Sequence, residues 1–155
     1  MANKKSKQIL TVVAVILALT VLLAGCGGGS GAQRIAGLSP DGVVKAFVTA
    51  AKGDKLAEAG LYVSQVTKTD PNTVSAFLAN GLGDLKGMNV AAVKVVAQSG
   101  NYAAVVVTLQ QENTFKITVK PVGLEKINGE WYIVDNNQIY QSAKYSILAG
   151  LLSKI

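Results

Sequence analysis

The chain has 155 residues, with 15 Lys and Arg against 9 Asp and Glu, no histidine and one cysteine. The lack of histidine removes the usual nucleophile–base triad, the commonest metal ligand and the side chain that carries protons near neutral pH. A single cysteine excludes an internal disulfide, so any folded domain here stands on its hydrophobic core.

Lys4, Lys5 and Lys7 precede an apolar stretch from Ile9 to Leu23, which ends in Leu22-Leu23-Ala24-Gly25-Cys26. A core of about 15 apolar residues behind a basic start is short of the roughly 20 that span a bilayer, and it fits an export signal. Small residues flank the cysteine, as a peptidase groove requires. The segment resembles the signal peptide and lipobox of bacterial lipoproteins. That resemblance implies cleavage after residue 25 and a diacylglyceryl group on the Cys26 thiol. It further implies a protein held on the extracytoplasmic side of the cell membrane, or on an outer membrane where the organism has one. Two or more acyl chains give durable anchoring, whereas one is marginal.

Loss of residues 1–25 would remove three lysines and leave 12 basic against 9 acidic side chains, a net charge of +3 rather than +6. The sequence pI near 9.5 therefore reflects the targeting segment, and a nucleic-acid partner loses its main support. Weak attraction to anionic headgroups remains, although no polybasic run lies beyond residue 25. Residues 26–38 are glycine-rich and read as a tether. Residues 39–155 then form one domain, since about 115 residues support one core and not two.

Ser39-Pro40-Asp41 reads as a helix start, with a cap, a proline at the first helical position and an acid on the positive end of the dipole. Val43, Val44, Phe47, Val48 and Ala51 follow at helical spacing, and Gly53 ends the element. Asp54 is expected to cap a second helix carrying Leu56, Ala59 and Leu61. Asp70-Pro71 is expected to open a third, with Val74, Phe77, Leu78 and Leu82 as its buried stripe, closed by Gly87.

From Met88 the period changes to two. Val93, Val95 and Ala97 are expected to share a face, as are Ala103, Val105, Val107 and Leu109 beyond a Ser99-Gly100-Asn101 turn. Phe115, Ile117 and Val119 are expected to point inward on the next strand, with a bulge or bend at Pro121-Val122-Gly123. Asn128-Gly129 is the strongest hairpin signal in the chain. It leads to a strand placing Trp131 and Ile133 on one face and Tyr132 and Val134 on the other. Helices first and an antiparallel meander after them give an α+β order, with the helices expected on one side of the sheet. The apolar tail from Gln138 to Lys154 is expected to be helical and to dock on the open sheet or on a partner.

The helix opening, the Phe47 to Asp54 stretch, the long hairpin and the Asn128-Gly129-Glu130-Trp131-Tyr132-Ile133 ending stand in one order. Over residues 39–135 this resembles the lipoprotein branch of the nuclear-transport-factor-2-like, or cystatin-like, α+β fold. The resemblance implies a strongly bent sheet curled into a cone around the helices, often with a cavity at the wide end. Phe47, Phe77, Tyr102, Phe115 and Trp131 are then the candidate ligand-binding residues, although such residues at these spacings more commonly form core. The nine acids fall at helix starts, turns and strand ends, and none belongs to a calcium-loop pattern. The expectation is a non-catalytic protein with no metal and no cofactor. Its domain would bind a small ligand or an envelope protein, with self-association as a homodimer through the sheet as the alternative.

Overall fold

The computed structural model describes residues 31–65, 85 and 87–155. Helix α1 (Pro40–Lys52) begins where the capping residues place it. Ser39 is extended, its Oγ accepts the Gly42 amide, and Asp41 pairs with Lys45 one turn on at 2.8 Å. Its buried face is Val43, Val44, Phe47, Val48, Ala50 and Ala51. The second helix is shorter and starts later than expected. Asp54 adopts a left-handed conformation (φ 56°), the N-cap position falls on Lys55, and α2 is the single turn Leu56–Gly60 with Leu56 exposed. The third expected helix, with Phe77, lies outside the described residues, as do Cys26 and the signal segment.

Strands β1 (Met88–Ser99), β2 (Tyr102–Gln111), β3 (Ile117–Ile127) and β4 (Glu130–Val134) form an antiparallel meander in sequence order. Val63 adds an isolated parallel bridge to Ile133 at the β4 edge. Asn128 and Gly129 both have positive φ, which matches the twist of a two-residue hairpin. The inner face carries Ala103, Val105, Val107 and Leu109 of β2, Val122 and Leu124 of β3, and Trp131 and Ile133 of β4. All are buried against α1, Tyr62, Val63 and Leu85 in one core.

Two expectations about strand faces fail for identifiable reasons. In β1 the register slips at Ala91 and again at Val96, so Val95 opposes Val105 on the inner face while Ala97 opposes Ala104 on the outer one. Each extra residue reverses the alternation beyond it. In β3 the reverse holds. Its pairing to β2 runs unbroken from Ile117 to Glu125, without the expected bulge at Pro121-Val122-Gly123. Because Val122 and Leu124 are inward, strict alternation turns Ile117 and Val119 outward. They are 62% and 52% exposed, and Phe115, in the turn before the strand, is 98% exposed.

Helices cover both sides of the sheet, the early ones the inner face and the C-terminal tail the open face, the first of the two targets expected for it. After β4 the chain forms α3 (Asn136–Gln141), a 3-10 turn (Ala143–Tyr145) and α4 (Ser146–Leu152). Their residues Ile139, Tyr145, Leu148 and Leu152 bury a second core against Ala104 and Val134 on the outer face. The apolar tail thus docks on its own sheet. Gly123 lets it approach: a Cβ there would lie 2.5 Å from Ile139 Cδ1 and 3.0 Å from Leu148 Cδ2. Gly123→Ala should cost about 1–3 kcal/mol through overpacking. Adding Ile139→Val, which removes the clashing methyl, should recover part of the loss in urea denaturation. No recovery would show that the C-terminal helices are not seated this closely.

Candidate functional site

The sequence-derived candidates do not meet in one place. Phe47 and Trp131 are packed in the inner core, and Tyr102 is half-buried on the outer face. Phe115 projects from the β2–β3 turn at the far end of the sheet. Phe77 lies outside the described residues. The expected inward placement of Phe115 is corrected, because the β3 alternation sends it away from the interior, while Tyr102 packs against the C-terminal helices. The described residues do form a shallow, open cleft of about 280 Å³, but its lining is mainly polar and lies at the β2–β3 turn. Asn89, Gln110, Gln111, Glu112, Asn113, Thr114 and Phe115 border it.

The densest chemistry is elsewhere, around Glu125. This residue reads in the sequence as a strand-end acid, yet it sits in the paired body of β3, opposite Tyr102 on one side and Tyr132 on the other. It is 3% exposed. Its Oε1 accepts the hydroxyls of Ser64 at 2.8 Å and Tyr145 at 3.0 Å, and its Oε2 accepts Lys144 Nζ at 2.7 Å. Lys144 also donates to the Tyr145 hydroxyl and lies over that ring. Tyr102 donates to the Lys144 carbonyl and meets Tyr145 edge to face. Ser64 is held there by the bridge that puts its amide on the Ile133 carbonyl.

A buried carboxylate costs several kcal/mol unless paired and hydrogen-bonded, and these three donors meet that cost. The cluster includes a serine, a tyrosine and a lysine, but Ser64 is fully buried and its hydroxyl is committed to Glu125. Its chemical role is to fasten the C-terminal segment to the sheet. Nothing local in the sequence marks it, because Ser64, Glu125 and Tyr145 are remote from one another along the chain.

A second fastening lies in the segment expected to be a free tether. Arg34 donates to the carbonyls of Leu61 and Trp131 and to the Glu130 carboxylate. Its guanidinium lies 4.3 Å from the Tyr132 ring centroid and 5.3 Å from that of Tyr62. Glu130 also accepts the Gly37 amide, and the Ile35 amide bonds the Tyr62 hydroxyl. Residues 34–37 are thus strapped to the β4 edge ahead of Ser39. A planar cation over aromatic rings is the cue that could have found it, but the rings lie far away in sequence.

Among the described residues no group of three His, Cys, Asp or Glu converges as metal ligands would, and no helix is long and apolar enough to cross a membrane. The Glu125 cluster makes a pH-dependent prediction. Hydrogen bonding to Glu125 raises the Lys144 ammonium above its ordinary 10.5, and burial raises the Tyr145 phenol above its ordinary 10.0. In both cases the folded state holds the proton longer than the unfolded chain. Their contributions are therefore intact below about pH 10 and fall as pH rises through the folded values. Melting temperature should drop between neutral and strongly alkaline pH, and Lys144→Met with Tyr145→Phe should flatten that drop. Parallel curves for the two proteins would remove these residues as its cause. The chain matches no protein-family model and no curated protein sequence.

Proposed function

We propose that this is a non-catalytic, lipid-anchored lipoprotein of the bacterial cell envelope, which works outside the cytoplasmic membrane by binding a partner at its surface. The observation that carries the location is the Leu22-Leu23-Ala24-Gly25-Cys26 ending behind a lysine-led apolar stretch. The fold is proposed as a variant of the nuclear-transport-factor-2-like cone, with the outer sheet face partly closed by the C-terminal helices. The order of helices and meander supports it, as do the two β1 bulges, which bend a strand.

A binding role suits the side chains better than catalysis does. The chain has no histidine, and the buried carboxylate, Glu125, is saturated by three donors. Asp41, Glu58 and Glu130 each hold a cation. Phe47 and Trp131 serve as core, which moves the expected binding from an interior cavity to the exterior. A structural module that self-associates through its sheet is the second reading, favoured by the exposed apolar residues on β1 and β3.

Native mass spectrometry of protein extracted from its own membrane separates these readings. A lipidated chain carrying a discrete additional non-self mass supports the first, and a mass of two identical chains supports the second. In parallel, Cys26→Ala should abolish incorporation of labelled fatty acid and leave an unprocessed precursor. Label persisting on that variant would exclude Cys26 as the lipid site.

A further inference from the structure

The far end of the sheet carries a surface that neither core explains. Phe115 is 98% exposed in the Gln111–Lys116 turn, and Ile117 and Val119 present their side chains on the outer face beside it. By register, Val106, Thr108 and Gln110 of β2 and Pro121 of β3 share that face. The C-terminal helices do not reach it, since their core ends at Ala97, Tyr102 and Ala104. Large apolar side chains at a turn tip and along the adjoining strand are costly in water without an occupant.

The charge around this patch is one-sided. From Met88 to Pro121 the chain carries Lys94, Lys116 and Lys120 against the single acid Glu112. Lys94 stands opposite Val106 on the outer face, while Lys116 and Lys120 alternate with Ile117 and Val119 and, with Lys120 opposite Val107, flank the β3 edge from the other side of the sheet. Lys52 at the end of α1 reaches the same end of the sheet, where its ammonium bonds the Met88 carbonyl. The fold has gathered at one end cations that form no run in the sequence.

Two kinds of occupant fit apolar side chains beside lysines: an extended strand of another protein, or an anionic lipid surface. The backbone disfavours the strand. Ile127 and Glu130 close the hairpin, so the odd-numbered residues of β3 direct their N–H and C=O groups toward β4. β4 pairs no further than Gly123, and no described residue pairs with that edge beyond it. The free edge offers donors from Ile117 and Val119, but at Pro121 the donor is missing, a device that blunts edges against strand addition. An exposed aromatic tip with aliphatic neighbours and flanking lysines is instead what an interfacial contact requires.

We infer that the β2–β3 turn and the adjoining outer edge of β3, led by Phe115, Ile117 and Val119 with Lys94, Lys116 and Lys120, dock on an anionic membrane surface. The inference rests on the proposed lipid anchor, which would hold the domain at that surface. The docking would bring the turn and the β3 edge, with the side chains that flank it on both sides, to the membrane, while the Arg34 strap holds the anchored end of the domain at the β4 edge near the opposite, Asn128-Gly129 end. The anchor would supply residence, and the turn would set orientation.

The test uses the lipidated full chain in vesicles of phosphatidylcholine, with and without phosphatidylglycerol. Cys26 is the only cysteine and its thiol would be taken by the lipid. Phe115→Cys therefore provides a unique attachment point for an environment-sensitive fluorophore, and Ser99→Cys, at the other end of β1, provides a reference. The expected result is blue-shifted emission and quenching by spin-labelled lipids at position 115 and not at 99. It should be stronger with phosphatidylglycerol and weaker at high salt. Water-like emission at both positions, with the protein still floating with the vesicles, overturns the docking and leaves the anchor intact. Failure to float overturns the anchor instead. Vesicles added to unlipidated full chain then decide the docking: a blue shift at 115 upholds it and its absence overturns it. Amide protection of Ile117 and Val119 that grows with protein concentration, without lipid quenching, assigns the edge to protein pairing and also overturns it.

Discussion

A carboxylate buried in the paired part of a sheet must find donors, and Glu125 finds them in three separate parts of the chain. Ser64 comes from the segment bridged to β4, and Lys144 and Tyr145 come from the turn between the C-terminal helices. Satisfying this one group therefore ties the segment after α2, the third strand and the C-terminal tail together. The apolar contacts of Ile139, Leu148 and Leu152 supply burial, but burial is non-directional. The hydrogen bonds to Glu125 choose which way the tail lies across the sheet.

Gly123 and Glu125 act on the same strand from two sides of that choice. The missing side chain at 123 admits Ile139 and Leu148 to the backbone, and the long side chain at 125 receives Lys144 and Tyr145. The outer face is consequently divided. One end is a second core, and the other, from Thr108 and Gln110 across to Ile117 and Val119, stays open. The single continuous pairing of β3 with β2 enforces this division, since without a bulge Val122 and Leu124 cannot be inward unless Ile117 and Val119 are outward.

Function on the proposed reading follows from how these surfaces are used up. The inner face is spent on packing against α1, half of the outer face on the C-terminal helices, and the β4 edge on the Arg34 strap and the Val63 bridge. Among the described residues, what remains is the β1 flank and the β2–β3 end, where exposed apolar side chains lie near the lysines that flank the β3 edge. An anchored domain that is held at one end and carries such a surface at the other would present a defined side to its surroundings. A flexible tether alone would leave its orientation free.

Local rules were enough for the elements that depend on local chemistry. Ser39, Pro40 and Gly53 set the bounds of α1, Asn128-Gly129 set the last hairpin, and alternation set the buried faces of β2 and β4. The α+β order and a docked apolar tail were legible for the same reason. The inward face of β3 was not, because the apolar parity changes at Pro121-Val122 and only pairing to β2 decides which half of the strand keeps it. The slips in β1, the burial of Glu125 and the clamp on Arg34 were equally hidden. Each depends on residues far apart in the chain meeting at hydrogen-bonding distance, and periodicity within one segment carries no information about a partner in another.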